Sequence, residues 1–237
     1  MSTKFYLRIL SFLYGFIYII IYKILSLKYM NKKFPFKKYI SLKHYFDDYF
    51  KDFKQSKEKL NSDNLNKIIK ILSLYYKKKK KIFVCGNGGS AAIANHFECD
   101  HKKILSETKK INPRIISLCS NNPLISAISN DISYNEVFKK QLEYLADQGD
   151  MLITISSSGN SENIIRAIKY AKSKKIKTLS FTGFNGGRAK KLTDYNIHID
   201  SLNYGVVENL HHACMNIISQ FIRNNVSNSF EIKKYKF

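Results

Sequence analysis

Paired cysteines are the first absence. The four present, Cys85, Cys99, Cys119 and Cys214, show no C-x-x-C spacing and no scaffold density. A 237-residue chain can bury a core without staples, so a disulfide framework is excluded and reduced thiols in a cytosolic protein are expected. Nucleotide signatures are also missing. There is no G-x-x-x-x-G-K-[ST], and GNGGSA at 86–91 leaves the G-x-G-x-x-G register because its third glycine would fall on Ala91. No short repeat and no low-complexity linker interrupts the chain, which argues for one main domain. Acidic residues are scarce, 18 against 40 Lys and Arg, for a formal charge of +22. That excess suits a polyanionic partner. It is, however, spread along a chain rich in Lys, Asn, Ile, Tyr and Phe, the bias of an AT-rich coding sequence. A solvated basic surface is therefore expected, with no nucleic acid as partner.

Long apolar runs are short too. Residues 9–22, ILSFLYGFIYIIIY, carry no charge between Arg8 and Lys23, which falls below the roughly 20 residues that cross a bilayer core. With snorkelling flanks, residues 5–27 would just span. No small-residue cleavage site follows, against a signal peptide. Three readings stay open: a disposable extension before a start at Met30, a membrane anchor that would give membrane contact to a cytoplasmic domain, or a buried or interfacial helix. The expected organisation is an extension over 1–37, a domain over 38–225 and a tail over 226–237.

What is present is a regular alternation. Residues 38–60 place Tyr39, Leu42, Tyr45, Phe46, Tyr49, Phe50 and Phe53 at spacings of three and four, predicting an amphipathic helix. A cap at Ser62-Asp63-Asn64 opens a second helix through Tyr76. The period then changes. Apolar strands are predicted at 81–85 (KIFVC), 114–119 (RIISLC), 151–156 (MLITIS), 176–182 (IKTLSFT) and, more polar and therefore an edge, 195–200 (YNIHID). Helical stretches separate them, and residues 205–224 form a long closing helix. Apolar strands alternating with helices predict an α/β fold, a parallel sheet covered on both faces, with two extra N-terminal helices.

In open α/β sheets ligands sit beyond the carboxyl ends of the strands. Two loops there are rich in anion-binding potential: Gly86-Asn87-Gly88-Gly89-Ser90, whose missing Cβ atoms let backbone approach an anion, and Ser156-Ser157-Ser158-Gly159-Asn160-Ser161, a cluster of hydroxyls at a helix start. Such loops suit a phosphate monoester, which gains from the helix dipole and from several donors. A third loop, 183–187 (GFNGG), reads as punctuation.

The segments GNGGSAAIANHF, ISNDISYNEVF, ITISSSGNSENIIRAIKYAK and FTGFNGG, in this order and spacing, resemble the SIS (sugar isomerase) domain, most closely the phosphoheptose isomerases that convert sedoheptulose 7-phosphate to D-glycero-D-manno-heptose 7-phosphate. The likeness covers about residues 40–225 and leaves the first 30 or so unmatched. The resemblance implies a three-layer α/β/α sandwich with a five-stranded parallel sheet, a homotetramer with active sites between subunits, and roles in heptose, lipopolysaccharide or capsule synthesis. It also implies that Asn87, Gly88, Gly89, Ser90, Asn130, Asp131, Ser156, Ser157, Ser158 and Ser161 contact the sugar phosphate. The family's metal-binding histidine and glutamate, usually for zinc, fall on His96 and Asp100. A glutamine and a second histidine of the closing helix fall on His211 and Ser219.

These last positions depart from the family. Ser219 neither titrates nor binds zinc well, and Asp100 is one methylene short, which retracts its carboxylate by over about 1 Å. Compensation is available in His211 and His212, with Glu208 three or four residues earlier. The expected set is therefore Asp100 and His211 as catalytic residues and His96, Asp100 and His211 as zinc ligands, with no nucleotide cofactor. His101, one residue after Asp100, points about 100° away. The expected function is a ketose–aldose phosphate isomerase. The alternative is a non-catalytic SIS protein that binds a phosphosugar or a partner, as does a DnaA-binding replication factor that likewise lacks the second histidine.

Overall fold

The computed structural model describes residues 34–108 and 110–227. The apolar segment at 5–27, Met30 and most of the expected tail lie outside them. Five strands, β1 (Lys81–Gly86), β2 (Arg114–Ser117), β3 (Met151–Ser156), β4 (Lys177–Thr182) and β5 (Tyr195–His198), form one all-parallel sheet in the order β2-β1-β3-β4-β5. Among the described residues eight helices flank it: α1 (Leu42–Glu58), α2 (Ser62–Lys77), α3 (Gly89–Ser106), α4 (Asn122–Asp131), α5 (Val137–Leu145), α6 (Glu162–Ser173), α7 (Gly187–Leu192) and α8 (Tyr204–Val226), with a 3-10 turn at Tyr134–Glu136. This is the α/β sandwich expected from the apolar alternation.

Strand composition explains the layering. Every residue of β3, and all of β1 after Lys81, is buried, as strands covered on both faces must be. The outer strands are more polar, and in β5 only Ile197 is fully buried. From β1 the chain crosses to β2 on one side, and from β3 it crosses to β4 and β5 on the other. Right-handed crossovers in opposite directions put their helices on opposite faces. Accordingly α3 packs on β1 and β2 and along α8, while α6 packs on β3 and β4 beside α5 and α7. The direction of crossover reverses between β1 and β3, and there the loops diverge and leave a crevice.

Several boundaries differ from expectation for local reasons. Asn61, rather than the following Ser62, caps α2 by accepting from the Asn64 amide at 3.0 Å. Helix α7 follows directly on the GFNGG loop; at six residues it is too short to show a period. The apolar stripe of α1 is only half used. Tyr49 and Phe53 pack against the core, whereas Leu42, Phe46 and Phe50 are exposed. Polar contacts hold α1 in place: the Asn209 amide donates to Tyr49 Oη at 2.7 Å, and Ser201 Oγ donates to Asp52 at 2.6 Å. Among the described residues no helix is long and apolar enough to cross a membrane.

Candidate functional site

A cleft of about 280 Å³ opens at the carboxyl ends of β1 and β3, the two strands that flank the reversal. It is lined by Asn87, Gly88, Gly89 and Ser90 from the first loop, by Ser156, Ser157, Ser158 and Ser161 from the second, and by Tyr204 and Glu208 from α8. Eight of the ten residues expected to contact a sugar phosphate therefore share one cavity. Asn130 and Asp131 do not line it. They sit at the exposed end of α4, where the Asn130 amide donates to Asp131 at 2.8 Å.

The first loop is shaped by its backbone. Gly88 has φ of +54°, a left-handed conformation that glycine adopts without strain, and it starts α3 without a side-chain cap. The Cys119 thiol donates to the Gly86 carbonyl at 3.3 Å and ties the loop to the end of β2. Burial pushes that thiol above its usual range, which keeps it protonated. Asn87 is oriented by a reciprocal amide pair with buried Asn163 of α6, at 2.9 and 3.0 Å, and accepts from Tyr134 Oη at 2.9 Å. Sequence reasoning missed Asn163 and Tyr134, since their role exists only once α6 and the 3-10 turn meet over the loop.

The second loop is braced by the third. A Cβ on Gly159, whose φ is +64°, would lie 2.1 Å from the Gly186 carbonyl oxygen, so the two loops touch backbone to backbone. The Ala189 amide donates to the Gly159 carbonyl at 2.9 Å, Gly183 N donates to Ser157 O at 2.9 Å, and Arg188 donates to the Asn160 carbonyl at 2.7 Å. The GFNGG stretch, read as punctuation, is thus the buttress of the serine loop.

Unsatisfied donors face the cleft. Ser157 is 4 % exposed, and its hydroxyl has no partner. Asparagines cap α2, α4 and α8, whereas α1, α3, α5, α6 and α7 have no side-chain cap; of these, α3 opens on the cleft through Gly89 and Ser90, and α6 through its N-cap Ser161. An orphaned buried hydroxyl costs stability unless something occupies the space beside it. With two uncapped helix N-termini converging, a dianionic phosphate fits that space.

The other expected residues separate. Along the seam between α3 and α8, His96 Nε2 lies 3.1 Å from Asp100 Oδ1. The remaining nitrogen, Nδ1, shares a hydrogen bond with His212 Nε2 at 2.5 Å. Burial, then the neighbouring His96, lowers the His212 pKa below the usual imidazole value. His211 does not join them. It is fully buried, with Nε2 against the Thr182 carbonyl at 3.1 Å and its ring edge-on to Phe181. Burial lowers its pKa to about 4. Ser219 is likewise in the core, bonded to the Asn216 carbonyl at 2.9 Å. His101 is buried under Phe97, with its Nδ1 2.6 Å from Tyr76 Oη.

The correction lies on α8. The residue there that reaches the glycine loop is Glu208; His211, three residues on, is offset by only about 60° round the helix, but that offset aims it past the cleft at the Thr182 carbonyl and the Phe181 ring. The expected zinc set of His96, Asp100 and His211 therefore does not converge. Both nitrogens of His96 are engaged, and among the described residues no group of three or more His, Cys, Asp or Glu is disposed to hold a metal. Glu208 stands close before the His211–His212 pair in sequence.

Known proteins agree with this architecture. The SIS domain model matches residues 44–183. The phosphoheptose isomerase of Aliarcobacter butzleri is 39% identical over 163 residues, covering 69% of this chain and 86% of that protein. The phosphoheptose isomerase of Clostridium acetobutylicum is 34% identical over 186 residues, 76% of this chain and 94% of the other. Among solved structures, a phosphoheptose isomerase from Francisella tularensis superimposes with a TM-score of 0.70 at 26% identity, covering 77% of this chain and 96% of that one. With the switch-point cleft, the serine loop and these matches in one chain, the protein belongs to the SIS domain family.

Proposed function

We propose that the chain is an aldose–ketose isomerase acting on a sugar phosphate, with sedoheptulose 7-phosphate as the substrate and a D-glycero-D-manno-heptose 7-phosphate as the product. One observation carries this reading: two uncapped helix N-termini and the unpartnered Ser157 hydroxyl meet in a single cleft at the β1/β3 crevice. The names and identities of the relatives supply the substrate. Ser157, Ser158 and Ser161, with the first amides of α6, would hold the phosphate, while Ser90, Asn87 and the glycine backbone would meet the sugar hydroxyls. Holding the sugar at its far end places the carbonyl carbon for proton transfer, which is where orientation lowers the barrier.

The same reading includes assembly into a homotetramer. Leu42, Phe46 and Phe50 on α1 and Ile217 and Phe221 on α8 expose apolar surface without use in a single chain. Asn130 and Asp131, outside the cleft of their own chain, would then be free to serve at a subunit boundary.

Purified full-length protein offered a panel of sugar 6- and 7-phosphates tests the reading by NMR. Interconversion of sedoheptulose 7-phosphate with an aldose phosphate is expected. Binding without interconversion of any sugar would support a phosphosugar-binding protein instead.

A further inference from the structure

The cleft has two chemically different ends. Its β3 end, Ser156 to Ser161, presents hydroxyls and main-chain amides and no acidic side chain. Its α8 end carries Glu208, the one carboxylate in the lining. Glu208 lies directly over the glycine loop: a Cβ on Gly89 would come 2.4 Å from Glu208 Oε2 and 2.9 Å from Cδ, so glycine at 89 makes room for this carboxylate. Among the described residues no side chain hydrogen-bonds or ion-pairs with it. Its half-buried position lifts the carboxyl above the usual carboxylate range.

We propose that Glu208 is the catalytic residue that carries the proton between C1 and C2 of the bound sugar phosphate, and this rests on the isomerase reading above. Charge sets the direction of binding. A phosphate dianion is repelled by a carboxylate and drawn to donors, so the phosphate takes the serine end and the carbonyl end of the sugar meets Glu208. The Glu208 carboxylate removes a proton from C1 of the ketose. The C1–H electron pair forms the C1=C2 bond, and the carbonyl pair moves to O2, which takes a proton from water. The C1=C2 pair then takes the proton back from the carboxylic acid of Glu208 and becomes the C2–H bond. O1 loses its proton to water, and its pair closes the C1=O1 bond. C1 is oxidised and C2 reduced within one molecule, so no outside oxidant or reductant is required.

Glu208 does this without Asp100 or His211, neither of which lines the cleft. Asp100 is engaged by His96, and His211 is sealed in the core. The other titratable groups on this side are Tyr204 in the lining, His212 one turn further along α8, and His96 and Asp100 on the facing side of α3.

The test compares the full-length protein with Glu208→Gln and Glu208→Asp, using sedoheptulose 7-phosphate in D2O. Turnover and deuterium incorporation are followed by proton NMR, and binding by calorimetry. Glu208→Gln is expected to bind the sugar phosphate within about threefold of the parent and to lose both turnover and deuterium incorporation by on the order of 10³-fold. Glu208→Asp is expected to be at least about tenfold slower and to shift the acid limb of the kcat/KM profile. A Gln variant that exchanges and turns over within about threefold of the parent overturns the proposal, as does an Asp variant with unchanged rate and unchanged limb. An unaltered protein that binds but never exchanges removes the isomerase reading and this proposal together. An active protein with an active Gln variant removes only the role of Glu208.

Discussion

The glycine and serine loops on one side and the α3–α8 seam on the other face the same part of the fold but are held differently. The loops are fixed by backbone: positive φ at Gly88 and Gly159, main-chain bonds from Gly183 and Ala189, and contact between the Gly159 and Gly186 backbones. The seam is fixed by side chains whose direction depends on helix phase, with Glu208 in the cleft, His212 against His96 and His211 in the core. A backbone-built site tolerates little change in local conformation. A phase-built site can exchange its chemistry while its helix stays in place.

The strongest way to break this contrast is Gly159→Ala. The new Cβ would meet the Gly186 carbonyl oxygen, a backbone atom that cannot step aside, at a φ that L-residues avoid. A loss of more than about 2 kcal/mol in stability is expected, together with loss of sugar-phosphate binding. Chemical denaturation and calorimetry measure the two. A fully stable, binding-competent variant would show that the loops are not held by backbone contact.

The seam side is probed by acid. His211 and His101 are kept neutral by burial, with pKa values of about 4 and about 3 against 6.5 in the unfolded chain. The unfolded state then binds protons that the folded state refuses, so stability falls as pH drops from about 6.5 toward about 4. Thermal melts from pH 7 to pH 4 should show this slope, and His211→Leu should flatten it while leaving sugar-phosphate binding at neutral pH within about threefold. A His211→Leu protein with the parent's acid slope would contradict the placement of this ring in the core.

Smaller effects sharpen the comparison. Ser157→Ala removes a buried hydroxyl that has no partner, so the melting temperature should stay level or rise slightly, while binding of a sugar phosphate weakens about tenfold. A drop in stability with unchanged binding would mean that the hydroxyl serves the fold. Asn163→Ala loosens Asn87 through the amide pair, and a rise in KM of a few fold with little change in kcat is expected from steady-state kinetics.

How much of this was legible in sequence follows from the same physics. The strands announced themselves because β1 and β3 are apolar at almost every position, and the anion cradle because glycines and serines act through their own backbone and hydroxyls. The closing helix was legible as a helix and misread as a surface. Its apolar residues recur on more than one side, since α8 packs against α2, α3 and α1, so no clean polar stripe marks the cleft side. His211 was the natural candidate by residue type, yet phase puts it against Phe181. The half-used stripe of α1 shows the converse: Phe46 and Phe50 follow the periodicity of a buried face but are exposed in the single chain.

A crystal structure of the protein with sedoheptulose 7-phosphate bound tests the account most directly. The account predicts the phosphate within hydrogen-bond distance of Ser157 Oγ and the first amides of α6, with C1 and C2 of the sugar beside the Glu208 carboxylate. A phosphate bound outside the β1/β3 crevice, or a sugar whose carbonyl end lies against the serine loop, would contradict it.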